Sequence, residues 1–290
     1  MTPLLDAYPR QRLLHLDAVW IQVAGTLCNL TCEHCFVSAG PGIERHAMMS
    51  RDAVRGRVLE GLGLGAREFY FTGGEPFLHP ELIAILEDTL ALAPCTVLTN
   101  GTLLTRSRVE SLRQLSERGR YSLEVRISFD GGSESEHDAL RGAGAFARTL
   151  DGLRRLDAVG MLPIATVTQT GGEDSLTFRE RFAARMREAG ITRARIKLLP
   201  LFALGRETRR SPAATAPTLA GLDQDAVGMA ALPCGTCRAV TSQGVFVCPL
   251  LVDEPSARLG DTLAEAAQAF TLSHAACATC WTTGATCANG

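Results

Sequence analysis

Lysine is almost missing from this chain: Lys197 is the single one, which leaves 28 arginines among the 29 basic residues. With alanine abundant, that skew reads as coding bias rather than a binding device. Charge of one sign is also missing. Thirty-one acidic residues offset the basic ones to a net −2, which gives no electrostatic footprint for nucleic acid. No apolar run approaches the ~18 residues of a membrane span. The stretch Met1 to Arg12 lacks the basic-then-apolar order of a signal peptide, so a cytoplasmic protein is expected.

What is present is an ordinary globular composition, 46% hydrophobic and 21% charged over 290 residues. That length suits one large domain, or one of about 200 residues with a small appendage. There are ten cysteines. In a reducing compartment they point to metal or catalytic roles rather than disulfides. Three fall in 28–35, six in 234–287, and Cys95 stands apart as a buried strand residue.

From Ala18 to about Leu201, short apolar runs alternate with longer amphipathic ones. Strands are predicted at Ala18–Ala24, Glu68–Thr72, Cys95–Thr99, Ser122–Asp130, Pro163–Thr170 and Ala194–Leu199. Helices are predicted over Ser50–Leu64 (with Ser50 as N-cap), Pro80–Leu92, Arg106–Arg118, Gly144–Val159 and Leu176–Glu188. Six β/α units in series argue for a parallel sheet with helices outside, either a barrel or an open doubly wound sheet. Both place the active site at the carboxyl ends of the strands. The unusual sequences fall there: Cys28–Cys35 after the first strand, Gly73-Gly74-Glu75-Pro76 after the second, Thr99-Asn100-Gly101 after the third, and Asp130-Gly131-Gly132 after the fourth. From about Gly205 to Pro217 the texture turns polar and proline-broken, as a linker would. The expected organisation is an N-terminal extension 1–17, an α/β unit 18–204, a linker 205–217 and a cysteine-rich region 218–290.

Cys28, Cys32 and Cys35, spaced C-x3-C-x2-C, put three thiolates on one loop with no fourth local donor. A closed zinc site wants four protein ligands, and so does an ordinary iron–sulfur cluster. Three ligands and a vacancy suit a cluster with one iron open to an external ligand. Together with Gly73-Gly74-Glu75-Pro76 in a chain of βα units, this pattern resembles the radical S-adenosylmethionine (radical SAM) enzymes. The resemblance covers roughly residues 17–201 and implies a partial (β/α)6 TIM-type barrel. It implies a [4Fe–4S] cluster whose open iron takes the amino and carboxylate groups of S-adenosylmethionine. Reductive cleavage then releases methionine and a 5′-deoxyadenosyl radical that removes a hydrogen atom from substrate, with electrons from a reductase or flavodoxin-type partner. Residue by residue, Gly73 and Gly74 would let backbone approach the methionine moiety, Glu75 would accept its ammonium, and Pro76 would fix the turn. His34 matches the position whose backbone lies near the adenine, Ser128 the ribose contact, and Arg141 a partner for the cofactor's carboxylate. Asn100 reads as a turn residue tolerant of the left-handed region.

The second cysteine group is Cys234-x2-Cys237-x10-Cys248-Pro249, then Cys277-x2-Cys280-x6-Cys287. Paired CxxC knuckles alone would equally read as a zinc ribbon in a structural, non-enzymatic protein. Behind such a barrel they resemble the SPASM/twitch extensions that hold auxiliary [4Fe–4S] clusters. Six cysteines are too few for two clusters, so one is expected, from Cys234, Cys237, Cys277 and Cys280, with Cys248 or Cys287 able to substitute. A spare thiol, with Cys248 first, could return hydrogen to a substrate radical as a catalytic group. The acidic run from Asp130 to Asp138, expected at the mouth, would suit a polycationic small molecule. Aminoglycoside-modifying radical SAM members, neomycin C epimerase among them, make epimerisation the leading expectation. Dehydrogenation of such an alcohol and modification of a ribosomal peptide are the alternatives.

Overall fold

The computed structural model describes residues 5–169, 174–191, 193, 195–210, 218–222 and 229–284. Cys287 and the 211–217 part of the expected linker lie outside them. Six parallel strands pair in chain order: β1 (Ala18–Gln22), β2 (Glu68–Thr72), β3 (Cys95–Thr99), β4 (Leu123–Ser128), β5 (Ile164–Gln169) and β6 (Arg195–Pro200). Between them run helices α1 (Arg51–Gly63), α2 (Leu82–Leu90), α3 (Arg106–Arg118), α4 (Glu134–Arg141), α5 (Ala145–Ala158) and α6 (Ser175–Glu188). The fold is thus α/β with a mainly parallel central sheet, as the alternation of apolar runs requires.

The local reasons are legible. Ser50 Oγ accepts from Ala53 N and starts α1, and Thr105 does the same for α3 through Arg108 N. Outward strand residues such as Val19, Ile21, Phe69, Phe71, Val97 and Ile127 are buried against the helix layer. Inward residues follow the opposite parity, as period-2 strands demand. Among them Trp20 stacks on Tyr70 with ring centroids 4.3 Å apart.

The acidic run expected at the mouth as a site for a polycation is largely helix α4. Ser133 caps α4 through Glu136 N, Glu136 accepts from Gly132 N, and Asp138 accepts from Gly144 N and Phe146 N. Those carboxylates are engaged in holding their own segment, a role composition alone does not reveal.

The cysteine-rich region does not form a sheet of its own. β7 (Cys237–Thr241) pairs in parallel with the free edge of β1, Ala18 opposite Cys237. It continues antiparallel into β8 (Gly244–Phe246), which pairs with β9 (Arg258–Gly260). The nine strands run β9-β8-β7-β1-β2-β3-β4-β5-β6, open at both ends. Arg10 and Gln11 pair with Thr271 and Phe270, tying the N-terminal segment to the same region. A last helix, α7 (Ala275–Thr283), follows. No helix among the described residues is long and apolar enough to cross a membrane.

Candidate active site

The loop leaving β1 turns at Gly25, whose φ of +54° and contact with the His46 carbonyl leave no room for a side chain. Its return is stitched by a bridge between Leu27 and Gly40 and by Thr26 Oγ1 donating to the Ile43 carbonyl, 3.0 Å. Cys28 and Cys32 are buried and Cys35 half-buried. The loop is held from two distant parts of the chain. Glu33 N donates to Leu140 O at the end of α4, 2.8 Å. From the expected linker, Arg206 Nε donates to Cys32 O and Nη2 to Ala39 O, both 2.7 Å, and Arg206 N donates to Cys35 O, 3.0 Å. The linker therefore begins as a clamp on the cysteine loop, with Gly205 at φ +55° directly over the Cys35 and Phe36 carbonyls.

Gly73 and Gly74 line the cavity, and their contact with the cysteine loop also requires glycine. A Cβ on Gly74 would overlap the Leu27 carbonyl and stand 2.9 Å from Cys28 Cβ, while one on Gly73, at φ +133°, would meet Gly25 O at 2.9 Å. The two loops touch backbone to backbone, and Gly74 N and Glu75 N donate to Gly25 O and Leu27 O. Glu75, expected to accept an ammonium, is fully buried and off the cavity wall, with Pro76 behind it. Its Oε1 accepts from Phe77 N and Thr99 Oγ1 and its Oε2 from Asn100 N, at 2.7–3.0 Å. It clamps the loops after β2 and β3 together. Asn100 is not left-handed; Gly101 is, at φ +78°. Asn100 instead reaches back, with Nδ2 donating to Asn29 Oδ1 at 2.9 Å and lying 3.8 Å from Cys28 Sγ.

The hub that sequence reading missed is Asp130. It is fully buried: Oδ2 takes Arg141 Nε at 2.6 Å and His34 Nε2 at 3.0 Å, and Oδ1 takes Thr168 N at 2.8 Å. Burial alone would raise its carboxyl, but the Arg141 charge, then the His34 hydrogen bond and charge, and the Thr168 N–H hold it well below the usual range. The His34 imidazole is thereby fixed. Arg141 Nη1 stands 3.8 Å from Cys32 Sγ. Next to this cluster His137 is pushed down to about 4, by burial first and then by Arg141. It is neutral at neutral pH, with its Nδ1–H donating to the Asp130 carbonyl, 2.9 Å.

These parts surround a cavity of about 210 Å³. Cys28, Cys32, Cys35, His34, Gly73, Gly74, Asn100, Ser128 and Arg141 all line it, so most of the expected site residues converge. Burial pushes the Cys28 thiol up to about 12 and raises Cys32, against the pull of Arg141 and Arg206. Thiols this reluctant to ionise unaided suit a bound cationic iron centre, which supplies the missing positive charge. A buried, unpartnered His34 Nδ1 in the same cavity also fits a polar cofactor there.

Cys248, expected as a hydrogen donor, is not on that wall. It lines a second pocket of about 30 Å³ with Cys234, Cys277 and Cys280. Cys277 and Cys280 share a face of α7 at i, i+3. Burial, with Cys248 beside it, pushes Cys277 up to about 12. Cys237, expected as a ligand, heads β7 and is absent from this lining. Leu250 lines both cavities. Among the described residues no three His, Cys, Asp or Glu side chains converge as the ligands of one metal ion. Three thiols line the large cavity and four line the small one.

Residues 23–175, just over half the chain, match the Radical SAM superfamily. The AdoMet-dependent heme synthase of Methanosarcina barkeri is 33% identical over 139 residues, 47% of this chain and 38% of the relative. The subtilosin biosynthesis protein AlbA of Bacillus subtilis is 28% identical over 182 residues, 62% of this chain and 39% of that one. The chain thus spans well under half the length of these curated relatives. SuiB from Streptococcus suis, seen bound to precursor peptide SuiA, shares the fold at TM-score 0.65 and 15% identity over 89% of this chain and 66% of its own.

Proposed function

The chain belongs to the radical SAM superfamily, whose members use a [4Fe–4S] cluster and S-adenosylmethionine, and we propose that it is a two-cluster enzyme that oxidises a small polar substrate. Cys28, Cys32 and Cys35 would hold the first cluster, and Cys234, Cys248, Cys277 and Cys280 the second. When bound, these groups supply the radical that removes a hydrogen atom from substrate and an acceptor for the electron left behind. The protein's own residues position and exclude. Arg206 and Glu75 fix the cysteine loop and its neighbours, and Arg141, oriented by Asp130 and 3.8 Å from Cys32 Sγ, would pair with the cofactor's carboxylate. Ser128, Asn100 and His34 complete the cofactor wall, and residues 218–290 form the auxiliary region around the second pocket.

One observation carries the preference for oxidation: Cys248 joins three other thiols in the second pocket and is absent from the wall of the large cavity. Epimerisation of an aminoglycoside drew on Cys248 as donor and on an acidic mouth. The first is now better used as a ligand, and the second is helix α4 with its carboxylates engaged. Modification of a ribosomal peptide is the second reading, favoured by the similarity to AlbA. A flavodoxin-type protein remains the expected source of electrons.

Anaerobic reconstitution tests this. About eight irons per chain are expected, falling to about four in Cys248→Ala and staying near eight in Cys237→Ala. The reduced wild type with S-adenosylmethionine is expected to release 5′-deoxyadenosine. A colourless zinc protein, or full iron loading in Cys248→Ala, would remove the two-cluster reading.

A further inference from the structure

The cysteine loop and the region after β7 meet at a carboxylate that the cluster assignments leave unused. Asp253 sits in the turn after Cys248, where Leu251 N donates to Cys248 O and Glu254 N to Leu251 O. Its Oδ1 accepts from His46 Nε2 at 3.0 Å and its Oδ2 from Arg45 Nη2 at 2.7 Å. Burial would raise this carboxyl, but the His46 and Arg45 hydrogen bonds hold it below its usual range. These partners are 207 and 208 residues away in sequence, so no local pattern announces them.

Both arms run on to the loop that carries Cys28, Cys32 and Cys35. The same Nη2 of Arg45 donates to the Val37 carbonyl, so one nitrogen joins Asp253 to the leg just after Cys35. His46 is buried, and its backbone clasps the other leg: Thr26 N donates to His46 O at 3.0 Å and His46 N to Thr26 Oγ1 at 3.3 Å. Ala47 N donates to Ser242 Oγ at 2.8 Å and Gln243 Nε2 to Arg45 O, which bolts this segment to the β7–β8 turn. On the far side, the Asp253 turn carries Cys248 into the second pocket and Pro249 and Leu250 into the wall of the large cavity. Arg45 is 46% exposed, and an ion pair that open contributes little to folding. Its weight is geometric, as a fixed point shared by two loops that bear thiols.

We propose that Asp253 is a positioning residue. Through Arg45 and His46 it holds the Pro249–Leu250 wall against the cysteine loop, so that the large cavity is already shaped for S-adenosylmethionine before the cofactor arrives. This rests on the reading of that cavity as the cofactor's chamber. With the clasp broken, part of the binding energy goes into ordering the wall. The bound wall is the same as before, so affinity falls while the rate of cleavage after binding is kept.

Asp253→Asn keeps the side chain's shape and removes its charge. Reconstituted, this variant is expected to hold about eight irons, as the wild type does. Its KM for S-adenosylmethionine should rise roughly tenfold, with kcat for 5′-deoxyadenosine release within about twofold. Amide hydrogen exchange, read without turnover, should quicken in peptides covering 26–38 and 248–254 together and stay unchanged in α2. Arg45→Met should move KM and exchange in the same direction. Asp88→Asn, which breaks the Arg51 pair between α1 and α2 and lines neither thiol cavity, should leave KM and both segments as they are. An unchanged KM, or exchange that quickens on one side only, overturns the assignment. So does loss of iron from both variants, which would make these contacts a folding element alone; should only Asp253→Asn fail to load, Arg45→Met decides. Iron content and 5′-deoxyadenosine release of the wild type read the proposed function by themselves, and the exchange measurement reports the clasp even where that reading fails.

Discussion

Replacing Gly74 by alanine is expected to abolish loading of the first cluster, although the change adds one methyl group and replaces no ligand. That methyl would overlap the Leu27 carbonyl and press on Cys28 Cβ at 2.9 Å. Both are loop atoms without a flexible end to swing away, so the loops after β1 and β2 must part. Parting them strains the Gly74 N and Glu75 N hydrogen bonds to Gly25 O and Leu27 O. Overpacking of this kind costs about 3 kcal/mol or more, because neither backbone can yield. The same substitution at Gly56, inside α1 with nothing within 4 Å of the added carbon, should instead stabilise by about 0.5–1 kcal/mol through helix propensity. Iron bound per chain and the denaturation midpoint, measured on both variants, give opposite signs if contact between the loops is what glycine protects. Normal iron loading in Gly74→Ala would show that the loops have slack.

Much of this architecture could be read in the sequence, and what could not be read has identifiable causes. The six strands are short apolar runs flanked by turn residues, and the motifs at their carboxyl ends fall in the cavity because a parallel sheet gathers those ends on one side. Helix α4 was hidden by acidity, yet its signal was present: Ser133 with Glu136 three residues on is a capping pair, and Arg141 closes the last turn. Cys237 was taken with Cys234 as a CxxC knuckle because spacing carries no information about tertiary pairing. Its register opposite Ala18 places it at the head of a sheet strand, outside the lining of the second pocket. Glu75 and Arg206 could not be placed from their neighbours at all. Their partners lie 24 and 174 residues away for Thr99 and Cys32, and no local pattern encodes them.

The attachment of the cysteine-rich region has a mechanistic consequence. Since β7 adds to the edge of β1, the strand that delivers Cys28 is neighbour to the strand that follows Cys234. The two thiol pockets therefore flank adjacent strands of one sheet, with Pro249 and Leu250 reaching the large cavity directly after Cys248. A separate appendage on a flexible linker would leave that spacing undefined.

Asp130→Asn is expected to be the most damaging single change away from the cysteines. The amide can still accept from Thr168 N through one oxygen, so the end of β4 keeps its backbone tie. What disappears is the charge opposite Arg141, which is itself buried and raised by Asp130 against its own burial cost. An uncompensated buried guanidinium costs about 3–5 kcal/mol. By contrast, Glu110→Gln breaks an exposed pair with Arg113 and should scarcely move the midpoint. The pH dependence has a definite sign. Because the folded carboxyl is held below its unfolded value of about 4, its stabilisation is complete above that pH and fades as pH falls towards the folded value. The gap between wild type and Asp130→Asn should thus be widest at neutral pH and shrink on acidification below about pH 4. Iron content follows the same logic, since a guanidinium released from Asp130 no longer stays beside Cys32 Sγ. A gap that does not vary with pH, or full iron loading with unchanged stability, would mean that Arg141 finds another counter-ion and that Asp130 is not the hub.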